Sequence, residues 1–187
     1  MPTARRAAPP FTKARLGHLH AQAEQLRAQA GVGPDKPLDP FVLAERSGVE
    51  VRWTEPQEQD WEVQTFSGGA VVLPDGKKVV LLNHNQSRER ANATLMEELS
   101  HLHYGHPTTS IGAAGRGPYD PEVEQEAYQT GAAALLPARA IAMAVYKGEA
   151  FETIAARYGT SVELVQMRVK VLGLWGRRRG RADGAAA

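Results

Sequence analysis

Apolar positions along the chain change period four times, and each change marks an element. From Thr12 to Ala30, Leu16, Leu19, Ala23, Leu26 and Ala30 recur at helical spacing. Gly31-Val32-Gly33-Pro34 stops that helix. A short second helix is predicted over Pro40 to Ser47, with Asp39 as N-cap, Pro40 at the first helical position and Gly48 at the end. The period then drops to two in Val49-Glu50-Val51-Arg52-Trp53, a strand. Two further β-rich runs, Phe66 to Leu73 and Lys78 to Asn83, flank the turn signal Pro74-Asp75-Gly76 and predict a hairpin. The three runs together predict a small, mostly antiparallel sheet.

Helical spacing returns near Ser87 and continues to Tyr104, where Gly105 and Pro107 end it. Leu95, Leu99 and Leu102 mark its core side. Thr108 to Pro121 has no period and, at 14 residues, is long enough to suggest function rather than mere connection. A helix over Glu122 to Leu136 follows. Its small residues Ala127, Gly131, Ala132, Ala133 and Ala134 allow close approach to a neighbouring helix, and Pro137 breaks it. The last third predicts helices over Ala138 to Tyr146, Ala150 to Tyr158 and Ser161 to Val171. The last two, joined by Gly159-Thr160, have a helix-turn-helix pattern. The expected organisation is a disordered tail at 1–11, a core at 12–137, a helical subdomain at 138–175 and a basic tail at 176–187.

Composition narrows the class only a little. The 187 residues are 42% hydrophobic and 23% charged, with a net charge of +1, so nothing commits the whole molecule to nucleic acid or membrane. Cysteine is absent, which excludes disulfides and thiolate metal ligands and suits a reducing cytoplasm. No segment has the length and apolarity of a membrane span, since Gly131 to Val145 is interrupted by Pro137 and Arg139. The N-terminal arginines precede no apolar core of a secretory signal.

The chemistry concentrates in Thr94-Leu95-Met96-Glu97-Glu98-Leu99-Ser100-His101. It departs by one letter from the metallopeptidase motif H-E-x-x-H. Four residues advance a helix by about 400°, so Glu97 and His101 share a face one turn apart. Glu98 stands beside them as candidate general base. A catalytic zinc site needs three protein ligands. The next helix offers Glu122, Glu124 and Glu126. Glu126 is 25 residues past His101 and is the expected third ligand, while Glu122 and Glu124 read as N-terminal charges favoured by the helix dipole. The competing reading of Glu97-Glu98 is a solvated helix face. His103 faces about 160° away from His101 and cannot join it while the helix holds. His106, beyond Gly105, is a substitute ligand if it swings in, and His84 reads as hydrogen-bonded or at the surface. Arg116 and Tyr119 in the long loop are candidate oxyanion or substrate contacts, with loop packing as the alternative.

At this point the chain resembles the ImmA/IrrE-type metallopeptidases. The resemblance runs through Asp39-Pro-Phe-Val-Leu-Ala-Glu-Arg-Ser-Gly48, Thr94-Leu-Met-Glu-Glu-Leu-Ser-His-Leu102 and Glu126-Ala-Tyr-Gln-Thr-Gly-Ala-Ala-Ala-Leu-Leu-Pro137. It closes on Ile154-Ala-Ala-Arg-Tyr-Gly-Thr-Ser161 and Arg168-Val-Lys-Val-Leu-Gly173, covering roughly residues 14 to 175. It implies an α+β fold with a zincin-like core, and a zinc-dependent protease that cleaves a helix-turn-helix repressor in a stress or mobile-element response. It also implies Glu97, His101 and Glu126 as metal ligands and Glu98 as base. Two departures stand out. Glu97 replaces the first histidine, and Tyr128 stands where the family often has asparagine. A carboxylate in place of an imidazole makes a less positive site and shifts preference from Zn2+ toward harder ions such as Mn2+. Three readings follow: an active peptidase, a site for another metal, or a protein that keeps the fold without proteolysis. A different class, a DNA-binding regulator, would use Gln166, Arg168 and Lys170 on the last helix, with phosphate contacts from Arg177 to Arg181.

Overall fold

The structure, a computed structural model, describes residues 12–55, 66–106 and 120–176. Among those residues, seven helices and three strands follow one another in the predicted order. Helix α1 (Lys13–Gln29) begins where the Thr12 hydroxyl accepts a hydrogen bond from the Arg15 N–H. It buries Leu19, Ala23 and Leu26, the face its spacing predicts. Helix α2 (Pro40–Arg46) is capped by the Asp39 carboxylate, which accepts from the Phe41 N–H at 2.9 Å.

Strands β1 (Val49–Trp53), β2 (Gly68–Val72) and β3 (Lys78–Leu82) form one sheet in the order β1-β3-β2. The hairpin β2–β3 is antiparallel, as expected, and its turn is closed by the Gly76 N–H on the Leu73 carbonyl at 2.8 Å. Gly76 sits at φ 83°, a left-handed conformation in which a side chain would be strained. The expected mostly antiparallel sheet is corrected in one respect. β1 pairs β3 in parallel, Val51 opposite Val80, so the sheet is mixed. Alternation within a strand reports which face is buried. It carries no information about the direction of a partner that is distant in sequence.

Helix α3 (Arg88–Tyr104) crosses the sheet, capped by Ser87 and ended by Gly105 at φ 68°. Leu95, Met96 and Leu99 are buried beneath it. Helix α4 (Pro121–Leu135), capped by Asp120, lies against α3 at backbone distance. A Cβ built on Gly131 would stand 2.9 Å from the Met96 carbonyl carbon and 3.1 Å from the Glu97 nitrogen, so only glycine fits there. Helices α5 (Ala138–Lys147), α6 (Phe151–Tyr158) and α7 (Val162–Val171) complete the chain. The α6–α7 pair turns through Gly159 at φ 59°, and Ser161 caps α7. Its inner residues Ile154, Val165 and Val169 belong to the same apolar core as Leu26, Val80 and Leu95.

Two arginines are sealed inside. Arg27 donates to the carbonyls of Ala134, Gly33 and Lys36. Arg168, 1% exposed, donates to the Leu136 carbonyl at 3.3 Å and contacts His20 Nε2 at 3.4 Å. Both therefore bind carbonyls at the C-terminal end of α4, where the helix dipole favours a cation. No helix among the described residues is long and apolar enough to cross a membrane.

Candidate metal centre

Glu97 and His101 lie one turn apart on α3, as the i, i+4 spacing requires. The third acidic group comes from α4, and it is Glu124. One ligand atom from each of Glu97, His101 and Glu124 falls within 4.8 Å of the others. Glu126, the ligand expected from sequence, is not in this group, in which the α4 carboxylate is that of Glu124. The reason is the phase of α4. Gly131 is the point of contact with α3, and seven residues earlier, two turns back on the same face, stands Glu124. Glu126 shares its face with Thr130, whose hydroxyl meets the Tyr104 hydroxyl at 3.0 Å. Its charge acts on Tyr104 and His106. The signal was available in Gly131, but five of the eight positions from Ala127 to Ala134 are alanine or glycine, and no period singles one out.

The electrostatics of the three groups are mutually dependent. Burial, followed by the nearby Glu124 charge, pushes the Glu97 carboxyl up to about 7. Burial, then the His106 ring, pushes His101 down to about 4, so His101 is neutral at physiological pH. The 4.0 Å approach of His101 Nε2 to Glu124 is accordingly a contact of a neutral imidazole with a carboxylate and not an ion pair. Two carboxylates and a neutral ring nitrogen held together, with His101 buried and Glu124 open to solvent, form a set that a divalent cation fits, since it offsets the repulsion that raises Glu97. Glu98 is half-buried on the same helix, one residue past Glu97 and three before His101.

The remaining histidines divide as follows. His106 Nδ1 lies 3.1 Å from His101 Nδ1, and the His106 ring stacks on Tyr104 at 4.9 Å. It touches the site behind His101 and does not join the cluster. His103 turns away to Gln22, with Nε2 at 2.8 Å from Oε1, and His84 bonds the Thr54 hydroxyl at 2.9 Å. A cleft of about 640 Å3 opens beside Glu97, lined among others by Ser67, Arg90, Thr94, Tyr128 and Met167. The Tyr128 phenol is pushed up by burial and by the Glu97 charge, so it keeps its proton. Arg116 and Tyr119 lie outside the described residues. Gln166 and Lys170 are exposed on α7. Arg168 is not available for the nucleic-acid contact expected of it, because its guanidinium is committed to the Leu136 carbonyl inside the core.

A profile of the IrrE N-terminal-like domain matches residues 44–170, which hold the sheet, α3, α4 and nearly all of the helices after them. The chain belongs to that family. The IrrE N-terminal-like domain is a metallopeptidase-family domain and implies a divalent metal, and the Glu97-His101-Glu124 cluster lies within the matched region. A Mycobacterium tuberculosis transcriptional regulator is similar in structure, with a TM-score of 0.58 at 19% identity, over 83% of this chain and 48% of that one. At that identity the likeness is one of fold, and this chain spans about half the length of that regulator. No curated protein matches the sequence.

Proposed function

We propose that this IrrE-like domain is a metal-dependent endopeptidase in which Glu97, His101 and Glu124 hold the ion and Glu98 is the general base. The observation that carries the proposal is the convergence of those three donors from two helices locked together at Gly131. A divalent ion held by those three residues would supply Lewis acidity to the scissile carbonyl and to the attacking water. Glu98 takes the proton from that water and returns it to the leaving amine. Arg116 and Tyr119 are assigned to the oxyanion or the substrate backbone. The cleft beside Glu97 receives the polypeptide, with Tyr128 as one wall.

With two carboxylates in the ligand set, a divalent ion brings the site to a net charge near zero. That makes it a weaker Lewis acid than a two-histidine site and favours Mn2+ alongside Zn2+. The protein substrate suggested by the family resemblance is a helix-turn-helix repressor. The lack of cysteine suits work in the cytoplasm. A second reading rests on the same carboxylate at position 97: a regulator that binds a repressor, or DNA through Gln166 and Lys170, without cutting.

The test compares wild type and Glu98→Gln, each purified without chelator and analysed for metal, in cleavage of a helix-turn-helix repressor. The expected result is one bound ion in both proteins and a loss of cleavage of about 100-fold or more in the variant. Equal cleavage by the variant removes Glu98 from the mechanism. Metal without any cleavage favours the second reading.

A further inference from the structure

His106 is the one histidine that meets the candidate metal centre without belonging to it. Three contacts fix its place. Gly105 in the left-handed conformation folds the chain back, so that the His106 N–H donates to the His101 carbonyl at 3.0 Å. The ring then stacks on Tyr104, nearly parallel at 5°, and Tyr104 is tied to α4 through the Thr130 hydroxyl. Held in this way, His106 directs Nδ1 at His101 Nδ1, 3.1 Å away, with the two rings at 69°.

A hydrogen bond between two imidazole nitrogens needs one proton between them. If His101 supplies it from Nδ1–H, its Nε2 carries a free lone pair, and Nε2 is the atom that lies toward Glu124. If His106 supplies it, His101 keeps its own proton on Nε2 and cannot act as a ligand there. We infer that His106 is a positioning residue, whose Nδ1 accepts from His101 Nδ1–H and so holds His101 in the tautomer that presents Nε2 to a cation between Glu97 and Glu124. No proton is gained or lost by the pair. His101 holds its ring proton on Nδ1, and His106 holds its own on Nε2. This is the arrangement by which an outer acceptor commonly orients a ligating histidine, here with an imidazole as the acceptor. The inference rests on reading Glu97, His101 and Glu124 as a metal centre.

The experiment uses the full chain with Zn2+ as probe and has two readouts. Calorimetry measures Zn2+ affinity, and nitrogen-15 NMR of the metal-free protein reads the His101 tautomer. His106→Phe keeps the stack on Tyr104 and removes the acceptor. His106→Gln restores an acceptor oxygen. Tyr104→Phe keeps the ring and removes only the hydroxyl tie to Thr130. The expected result is an Nδ1–H tautomer of His101 in the wild type, lost in His106→Phe, with Zn2+ affinity down about 10- to 100-fold and largely recovered in His106→Gln. An unchanged tautomer and unchanged affinity in His106→Phe overturns the inference. So does an Nε2–H tautomer in the wild type. A wild type that takes up no Zn2+, with a His101 tautomer that still follows residue 106, removes the metal-centre reading and leaves the hydrogen-bond assignment standing.

Discussion

Glu97 and Arg168 are both charged residues carried into the interior by helices that pack on α4, and they are treated in opposite ways. Arg168 meets the carbonyl-rich end of α4 and a neutral imidazole, and the cost of burial lowers it only to about 10. It remains a cation, and its donors are used. Glu97 meets a second carboxylate, and burial with that repulsion raises it to about 7. The first arrangement is complete within the chain's own groups, because the guanidinium meets a carbonyl and an imidazole that can accept from it. The second leaves two carboxylates facing each other, a repulsion that a proton on Glu97 relieves and that a bound cation would relieve. If the proposed metal centre is right, the difference separates a charge buried for structure from a charge buried for binding, and several experiments bear on it.

The largest effect is expected from Glu97→Gln. Zn2+ or Mn2+ binding by calorimetry should fall by well over 100-fold, beyond what loss of an outer-shell partner costs. The metal-free variant should also be more stable than metal-free wild type at pH 8, by roughly 3 kcal/mol. The sign follows from the shift. The folded value near 7 lies above the unfolded 4.5, so the Glu97 contribution is fully present below pH 4.5 and is lost as pH rises through 7. Urea unfolding at pH 4 and 8 checks it, since the advantage of the variant should vanish at the lower pH. His101, lowered to about 4, loses its own contribution as pH falls from 6.5 through 4. That loss is common to both proteins and cancels in the comparison.

Arg168→Ala should have the opposite profile. Stability should drop by about 3 kcal/mol, because the Leu136 carbonyl is left without a donor and a void opens in the core. Metal affinity should be unchanged. An Arg168→Ala protein of full stability would mean that its buried hydrogen bonds contribute nothing net. Gly131→Ala comes next, with a loss of about 1–3 kcal/mol as α4 is forced away from the Met96 backbone. Here metal affinity should fall together with stability, since the same contact sets the distance from Glu124 to Glu97. Stability lost with affinity intact would show that the cluster is not held by that contact.

The smallest effect is expected from Glu126→Gln, well short of the tenfold that an outer-shell partner commonly contributes. Glu124→Gln should instead weaken binding about as strongly as Glu97→Gln. The reverse ranking would restore the ligand set expected from sequence and require α4 to rotate.

That ranking also marks where sequence reading ran out. Helix boundaries were legible to within a residue or so, and the Asp39 cap with them, because caps such as Asp39, Ser87, Asp120 and Ser161 act locally, on amides two or three residues away. The pairing of Glu97 with His101 was legible because helical spacing fixes it. The phase of α4 was not, since a run of alanines buries equally well on several faces and only the partner helix selects one. The parallel register of β1 on β3 was hidden for the same reason, being decided by a strand some thirty residues away. Arg168 lay in a pattern that fits an exposed recognition helix, and nothing local distinguished a cation that caps a distant helix from one that faces solvent.

The contact at Gly131 has a consequence for how such a site can change over evolution. Main chain meets main chain there, so the spacing of the two helices does not depend on which side chain occupies position 97. A change of donor at position 97 therefore leaves that main-chain contact in place. The frame of the two helices is thus set independently of the donor chemistry it carries.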